Sequence, residues 1–158
     1  MISRAIPPAD ARLILSDTAL DRALELFLLA EAGLWRVADA GIEAAGVKLG
    51  RSHYRLAFLL KRRPGTGVLE LARLTGLSKQ GASKALADLC AAGLVETTAG
   101  DQDARRRDAH LTDNGRAFEA KVSEKLHAAL AQAYRQAGLE AAPGAGQVWA
   151  ALAGVAPR

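Results

Sequence analysis

Residues 68–112 read VLELARLTGLSKQGASKALADLCAAGLVETTAGDQDARRRDAHLT, and this stretch decides the fold. It begins with a short apolar segment, which ends at Gly76, where a glycine can take the positive φ of a tight turn. A second apolar segment and a hairpin with consecutive arginines follow. The order of helix, turn, helix and hairpin is the pattern of a winged helix-turn-helix, a DNA-reading unit.

The second helix of this stretch is predicted over residues 78–92, with Ser78 as its N-cap. A period of 3.6 residues places one apolar set toward the core: Ala82, Ala85, Leu86, Leu89 and Cys90. The other side offers cations, an amide and hydroxyls, which suit phosphates and base edges in a major groove. An ordinary solvated helix face has a similar composition, but the position directly after a helix-turn signature favours DNA. The predicted DNA-binding residues of this helix are Ser78, Lys79, Gln80, Ser83 and Lys84.

The hairpin is predicted to form a wing over residues 96–110. A strand begins at Leu94-Val95, and residues 107–111 return antiparallel to it, with Ala109 and Leu111 on one face. Arginines enter narrow minor grooves, where the negative potential is enhanced. Surface arginines are often only solvated charges, yet their place beside a recognition helix favours DNA contact. The predicted minor-groove set is Arg105, Arg106 and Arg107, with Asp103 placed to hold the guanidinium of Arg105.

Helices are predicted on both sides of this unit. A long one starts at Ser16 or Asp17 and ends near Gly46, and a second starts at a Ser52 cap and ends in Lys61-Arg62-Arg63. The three cations fit a helix C-terminus, a solvated role that we favour over phosphate contact. Thr112 caps a third long helix, and a short one follows Pro143.

The third long helix carries an apolar stripe that can pack against the first helix or form a dimer interface. Its members are Phe118, Val122, Leu126, Ala129, Leu130, Ala133 and Ala137. Both terminal helices are longer than a winged module needs, which favours the dimer. The predicted fold class is mainly α (α+β). One domain over residues 1–158 is expected, with a DNA-binding core at about 52–112 and a helical dimerisation lobe at about 17–46 and 113–156.

Composition and scattered reactive residues argue against an enzyme. The chain has a net charge of +4 and a pI near 9.6, which mildly favours an acidic partner. The histidines fall in three elements, and no metal-ligand spacing, phosphate loop or nucleophile motif is present, so no cofactor is expected. Cys90 lies on the predicted buried face and fits a structural thiol better than a redox sensor. Without a visible signal peptide or long apolar run, no membrane contact and a cytoplasmic location are expected.

The stretch resembles the MarR family of winged helix-turn-helix transcriptional regulators. The shared marks are ELA at Glu70–Ala72, LS at Leu77-Ser78, GLV at Gly93–Val95, and a wing pattern made by Asp103, Arg105, Leu111, Thr112 and Gly115. The resemblance implies a homodimer built from the terminal helices, with recognition helices in adjacent major grooves of double-stranded DNA. It also implies that Arg105 reaches the minor groove while Asp103 orients it.

Members of this family usually repress neighbouring genes, and many release DNA when a small aromatic or phenolic effector binds; others sense oxidants through cysteine. An effector of that kind needs an aromatic wall and a cation, for which the candidates are Trp35, His53, Tyr54 and Arg55, although each is more often a packing or surface residue. Thr97 departs from the family pattern, which commonly has a basic residue there. It is the one support for an alternative function, a winged-helix protein-interaction module without DNA binding.

Overall fold

The structure is a computed structural model that describes residues 16–99, 107–138 and 141–154. Within those ranges it is mainly helical with one small antiparallel sheet, as predicted. The elements in chain order are α1 (Asp17–Ala44), α2 (Arg51–Arg62), α3 (Val68–Thr75), α4 (Lys79–Ala91), β1 (Val95–Ala99), β2 (Arg107–Leu111), α5 (Asp113–Ala137) and α6 (Ala141–Leu152).

The chain divides into two compact units, the first ending at Arg36 and the second beginning at Val37. The described part of the first unit is the N-terminal portion of α1, which starts with the Ala19 N–H donating to Ser16 Oγ at 3.3 Å. Six large apolar side chains of this portion are at least 40% exposed: Leu20, Leu24, Leu26, Phe27, Leu28 and Leu29. A single domain over the whole chain, with its two lobes, stays a prediction.

The second unit holds the core, which forms where the apolar faces of α2, α3, α4 and the start of α5 meet the end of α1. The predicted core face of α4 is buried at Ala82, Ala85, Leu86 and Leu89, whereas Cys90 is only half-buried. The fully buried side chains include several alanines, which let backbones approach closely: Ala38, Ala57, Ala82 and Ala109, beside Leu56, Leu71, Leu89 and Val122.

The α5 stripe is buried only in its first half, at Phe118 and Val122. A side chain at Gly41 of α1 would place its Cβ 3.2 Å from the Val122 backbone, so α1 and α5 touch there. Packing against the first helix therefore accounts for this half. The later positions are half-buried at Leu126, Ala129 and Leu130, and exposed at Ala133 and Ala137.

Most helix starts match the predicted caps. Ser78 Oγ accepts from Gly81 N at 3.0 Å, and Thr112 Oγ1 accepts from Gly115 N at 3.1 Å. The Ser52 cap is wrong: α2 starts two residues earlier than that cap predicts, at Arg51, with Gly50 as the N-cap. The His53 ring fixes that start, because its Nδ1 accepts from Gly50 N at 2.9 Å.

The last helix also starts earlier than predicted. It begins at Ala141, so Pro143 lies within its first turn rather than ahead of it. A proline is tolerated there because the first N–H groups of a helix lack intrahelical partners.

The wing is a two-stranded antiparallel ladder whose register runs from Val95 opposite Leu111 to Ala99 opposite Arg107. Ala109 and Leu111 are buried on one face, as predicted. The base of the wing is fixed to α5, because Thr112 Oγ1 donates to Gly93 O at 2.7 Å. A Cβ on Gly115 would lie 1.9 Å from Leu94 O, so only glycine fits at this junction.

Candidate nucleic-acid interface

Helix α4 is aimed by the turn that precedes it. Gly76 takes φ 70°, which reverses the chain after α3 without the penalty of a side chain. The Thr75 hydroxyl donates to Leu71 O at 2.7 Å and is buried, and Ser78 then caps α4. These local bonds, together with the buried face of α4, fix the direction of its outer face.

The outer face of α4 presents the predicted recognition side chains together. All five are exposed: Ser78, Lys79, Gln80, Ser83 and Lys84. Ser78 already uses its Oγ to cap the helix, so its part is to shape the N-terminal turn. The small residues Gly81 and Ala87 lie between the others, which leaves a slim surface that can approach a major groove about 12 Å wide.

Lys84 has a partner that the sequence reading missed. Its Nζ donates to Asp88 Oδ2 at 3.2 Å, and the same oxygen contacts His53 Nε2 at 3.1 Å. The hydrogen bonds from His53 and from Lys84 hold the pKa of the Asp88 carboxyl below its usual value. The i, i+4 spacing of Lys84 and Asp88 could have shown one of these contacts. The other joins residues 35 apart, which no local pattern reveals.

The wing residues are described only in part. Arg107 is exposed at the start of β2, and Thr97 is half-buried on β1 opposite Ala109. The predicted contacts of Asp103, Arg105 and Arg106 lie outside the described residues.

The cations that end α2 have different surroundings. Lys61 Nζ donates at 2.6 Å to Oε2 of Glu119, a fully buried carboxylate on α5, so this lysine belongs to the fold rather than to a phosphate site. Arg62 and Arg63 are exposed beyond it. On α3, Arg73 forms two hydrogen bonds with Glu70, which lower the pKa of that carboxyl.

The effector candidates of the second unit are engaged within the fold. His53 uses both ring nitrogens, and the buried Tyr54 hydroxyl lies 2.9 Å from Ser123 Oγ. The pKa of Tyr54 is raised, mainly by burial. The hydrogen bond with Ser123 opposes this shift, and the charge of Glu119 adds to it. Arg55 is half-buried on the same helix. In the first unit, Trp35 Nε1 donates to Glu31 Oε1 at 3.3 Å.

An open groove of about 280 Å³ lies beside the junction of α1 and α2. Arg51 fixes one edge of it through three hydrogen bonds to Asp39, and these lower the pKa of that carboxyl. None of the three effector candidates on α2 lines the groove, whose walls are Asp39, Ile42, Glu43, Val47, Leu49 and Gly50.

Cys90 is half-buried on α4, and burial raises the pKa of its thiol. A raised pKa lowers the thiolate fraction at neutral pH, which agrees with a structural role. None of the helices that the structure describes has the length and apolar character needed to cross a bilayer.

Known proteins match this arrangement. A sequence model of the MarR family matches residues 47–106. The HTH-type transcriptional regulator PetP of Rhodobacter capsulatus is 32% identical over 152 residues, which cover 96% of this chain and 90% of PetP. The match to PetP extends far beyond the helix-turn-helix and includes both terminal helices.

Solved structures share the fold. RV1404 from Mycobacterium tuberculosis superposes with a TM-score of 0.73 at 19% identity, covering 89% of this chain and 98% of that one. CouR, from Rhodococcus jostii RHA1, was solved bound to a 23-mer DNA duplex (TM-score 0.70, 20% identity, 88% and 98% covered) and bound to p-coumaroyl-CoA (0.68, 18%, 80% and 90%). Nothing in these likenesses supports the alternative of a protein-interaction module. The chain belongs to the MarR family of DNA-binding transcriptional regulators.

Proposed function

We propose that this regulator is a homodimeric repressor that reads a pseudo-palindromic operator. Helix α4 enters the major groove, and the wing, predicted over residues 96–110, enters the flanking minor groove. The observation that carries this proposal is the division of α4: one face is buried in the core, and the other presents Lys79, Gln80, Ser83 and Lys84 together. In this role the lysines bind phosphate or guanine, and Gln80 pairs with adenine.

A second copy of the chain is the partner that the exposed apolar residues need. The six exposed apolar side chains of α1, from Leu20 to Leu29, are typical of a surface that another protein covers. Helix α6 adds a further exposed set with Val148, Trp149 and Leu152. We propose that pairing of two copies covers these residues and sets the spacing of two α4 helices by about one turn of DNA.

The test is a mobility-shift and footprint assay on the DNA upstream of the gene. At pH 5.5, Lys84→Ala should weaken binding about equally on all sequences and reduce the salt slope by up to about one. Arg105→Ala should weaken binding strongly, and Gln80→Ala should relax discrimination at one base position. Lys121→Ala is the matched control, because this exposed lysine lies on α5 away from the proposed reading face.

Affinity that is unchanged by both Lys84→Ala and Arg105→Ala would contradict the DNA-reading role of these elements. The dimer is tested separately by sedimentation. Leu24→Glu together with Leu28→Glu should produce monomers, because two carboxylates would have to be desolvated in the interface. A wild-type protein that sediments as a monomer at micromolar concentration would contradict the homodimer.

We also propose that a small aromatic or phenolic effector weakens DNA binding. The support is the CouR structure bound to p-coumaroyl-CoA, which shares this fold. Trp35, His53, Tyr54 and Arg55 stay the candidate contacts. Titration of the protein–DNA complex with p-coumaroyl-CoA, with buffer alone as the control, measures the effect on DNA binding. A role in transcription further leads us to propose a cytoplasmic location and no enzymatic activity.

A further inference from the structure

Four groups form a chain of contacts from the start of α2 to the reading face of α4, which we call the His53 relay: Gly50 N, His53, Asp88 and Lys84. Gly50 N donates to His53 Nδ1, His53 Nε2 contacts Asp88 Oδ2, and Lys84 Nζ donates to that same oxygen. The histidine is mostly shielded, with 15% of its side chain exposed, whereas Lys84 is 77% exposed. One end of the relay is therefore packed inside the fold, and the other end faces the proposed DNA.

The contacts define which ring nitrogen carries the proton. A backbone N–H can only donate, so Nδ1 must hold a lone pair to accept from Gly50. Nε2 must then carry the hydrogen that it gives to Asp88. The relay as described thus contains a neutral imidazole. Protonation at Nδ1 would set two N–H groups 2.9 Å apart and end the capping bond.

The charge of His53 decides how Asp88 is shared. Beside a neutral imidazole, the carboxylate keeps its full charge and attracts the Lys84 ammonium. Beside an imidazolium, His53 compensates the same charge from 3.1 Å, about as close as the Lys84 ammonium at 3.2 Å, so the attraction that holds Lys84 along α4 is weaker. We propose that the His53 relay is a proton-sensitive restraint on DNA recognition, in which protonation of His53 releases Lys84 to a DNA phosphate. This inference rests on the proposed function and adds a regulation to it.

Other charged groups around α2 have partners elsewhere. Arg51, on the same turn, binds Asp39 of α1. Glu119 of α5 binds Lys61 at the far end of α2, and Glu70 of α3 binds Arg73. On β2, His110 lies against Gly65, beyond the end of α2. Asp88 contacts the His53 ring directly, and Lys84 is linked to the ring through Asp88.

The expected result is DNA binding that strengthens as the pH falls. Histidine is the side chain whose charge ordinarily changes between about pH 5 and 8. An i, i+4 ion pair this exposed restrains its lysine only weakly, so its release should strengthen binding about twofold at 0.1 M salt. One additional phosphate contact should make the slope of log affinity against log salt steeper by up to about one.

The experiment measures fluorescence anisotropy of a labelled upstream duplex with the full-length protein at pH 5.5, 6.5 and 8. His53→Gln is the informative variant, because glutamine at this helix position can accept from Gly50 N but cannot gain a proton. It should show the same affinity and salt slope at pH 5.5 and pH 8. His127→Gln is the matched control and should keep the wild-type pH response, because this exposed histidine lies on α5, outside the proposed reading helix and the wing. Asp88→Asn should give a steep salt slope at both pH values, since Lys84 then has no anion to hold it.

A second measurement needs no DNA and does not depend on a variant. The ¹⁵N shifts of the His53 ring in the wild-type protein should show an unprotonated Nδ1 and a protonated Nε2 at pH 8. An Nδ1–H tautomer would overturn the relay, and so would a pH response of His53→Gln equal to that of the wild type. A wild-type protein that binds no duplex at any pH would instead contradict the proposed function itself.

Discussion

Of the carboxylates that connect helix α2 to its neighbours, Glu119 and Asp88 do so in opposite ways. Glu119 of α5 is completely buried, and both of its oxygens are used, one by Lys61 and the other by Ser123. Asp88 of α4 is 39% exposed, and one oxygen is shared between His53 and Lys84. The same kind of side chain thus makes a closed link at one end of α2 and an open link at the other.

The difference between the two links follows from how far each carboxylate is exposed to solvent. A carboxylate removed from water has lost its hydration, so every lost partner leaves an uncompensated charge. A half-exposed carboxylate can replace a lost partner with water, and its partners can therefore exchange at small cost. The closed link is suited to holding α2 on α5, and the open link is suited to changing state. Four substitutions or titrations test this contrast, ordered by expected effect.

Glu119→Ala should have the largest effect. It leaves the buried Ser123 hydroxyl without its acceptor and opens a cavity, whereas Lys61, 48% exposed, can be rehydrated. The free energy of unfolding should fall by about 2–3 kcal/mol. Urea denaturation followed by circular dichroism measures it. Glu124→Ala is the control, because this glutamate lies exposed on the same helix. A loss below that of the control would show that the closed link contributes nothing.

Removing the hydroxyl of Tyr54 or of Ser123 should lower the free energy of unfolding less than Glu119→Ala does. Tyr54→Phe and Ser123→Ala each delete one side of a buried hydrogen bond, and each should lower the free energy of unfolding by about 1 kcal/mol. The double mutant should lose less than the sum, because the two hydroxyls bind each other. Additive losses in the double-mutant cycle would mean that this contact has no energetic value.

An alkaline titration should separate Tyr54 from ordinary tyrosines. Burial raises its pKa above the usual 10.0, so the folded state favours the neutral phenol. The stability from this shift is fully present below pH 10 and is lost as the pH rises through the raised value. Ultraviolet absorbance should show a late-titrating phenol that Tyr54→Phe removes. The same titration curve in that variant would contradict the assignment.

Asp88→Asn should have the smallest effect on stability. The lowered pKa of Asp88 gives a contribution that is present above its ordinary value of 3.8 and is lost as the pH falls through the lowered one. At pH 7 the thermal midpoint should stay within the reproducibility of the wild-type value, while DNA binding changes as described above. A drop comparable to that of Glu119→Ala would remove the distinction between open and closed links.

The local parts of this arrangement could be predicted from the sequence. The 3.6-residue period predicted both faces of α4. Ser78 and Thr112 predicted two helix starts, because a cap involves residues only three apart. The contacts of the two links could not be predicted. Lys61 and Glu119 are 58 residues apart, and a hydrophobic pattern treats a glutamate as a surface residue even where it is fully buried.

The predicted start of α2 failed for a related reason. The rule that serine caps helices favoured Ser52, but Gly50 takes the position once the His53 ring can reach its N–H. The ring is held in turn by Asp88, a residue that only the folded chain brings near. The exposed and buried faces of α4 were predictable because their residues share one helix, whereas the contact between Asp88 and His53 depends on the tertiary fold.

The exposed leucines of α1 also bear on how much of this protein a cell must hold. Once a second copy covers Leu24, Leu28 and their neighbours, the pairing free energy is part of the stability of the fold. Melting temperature then rises with protein concentration, and dilution separates the two copies that operator binding needs. Operator occupancy should climb more steeply than the first power of dose, which gives repression a threshold set by the number of copies present.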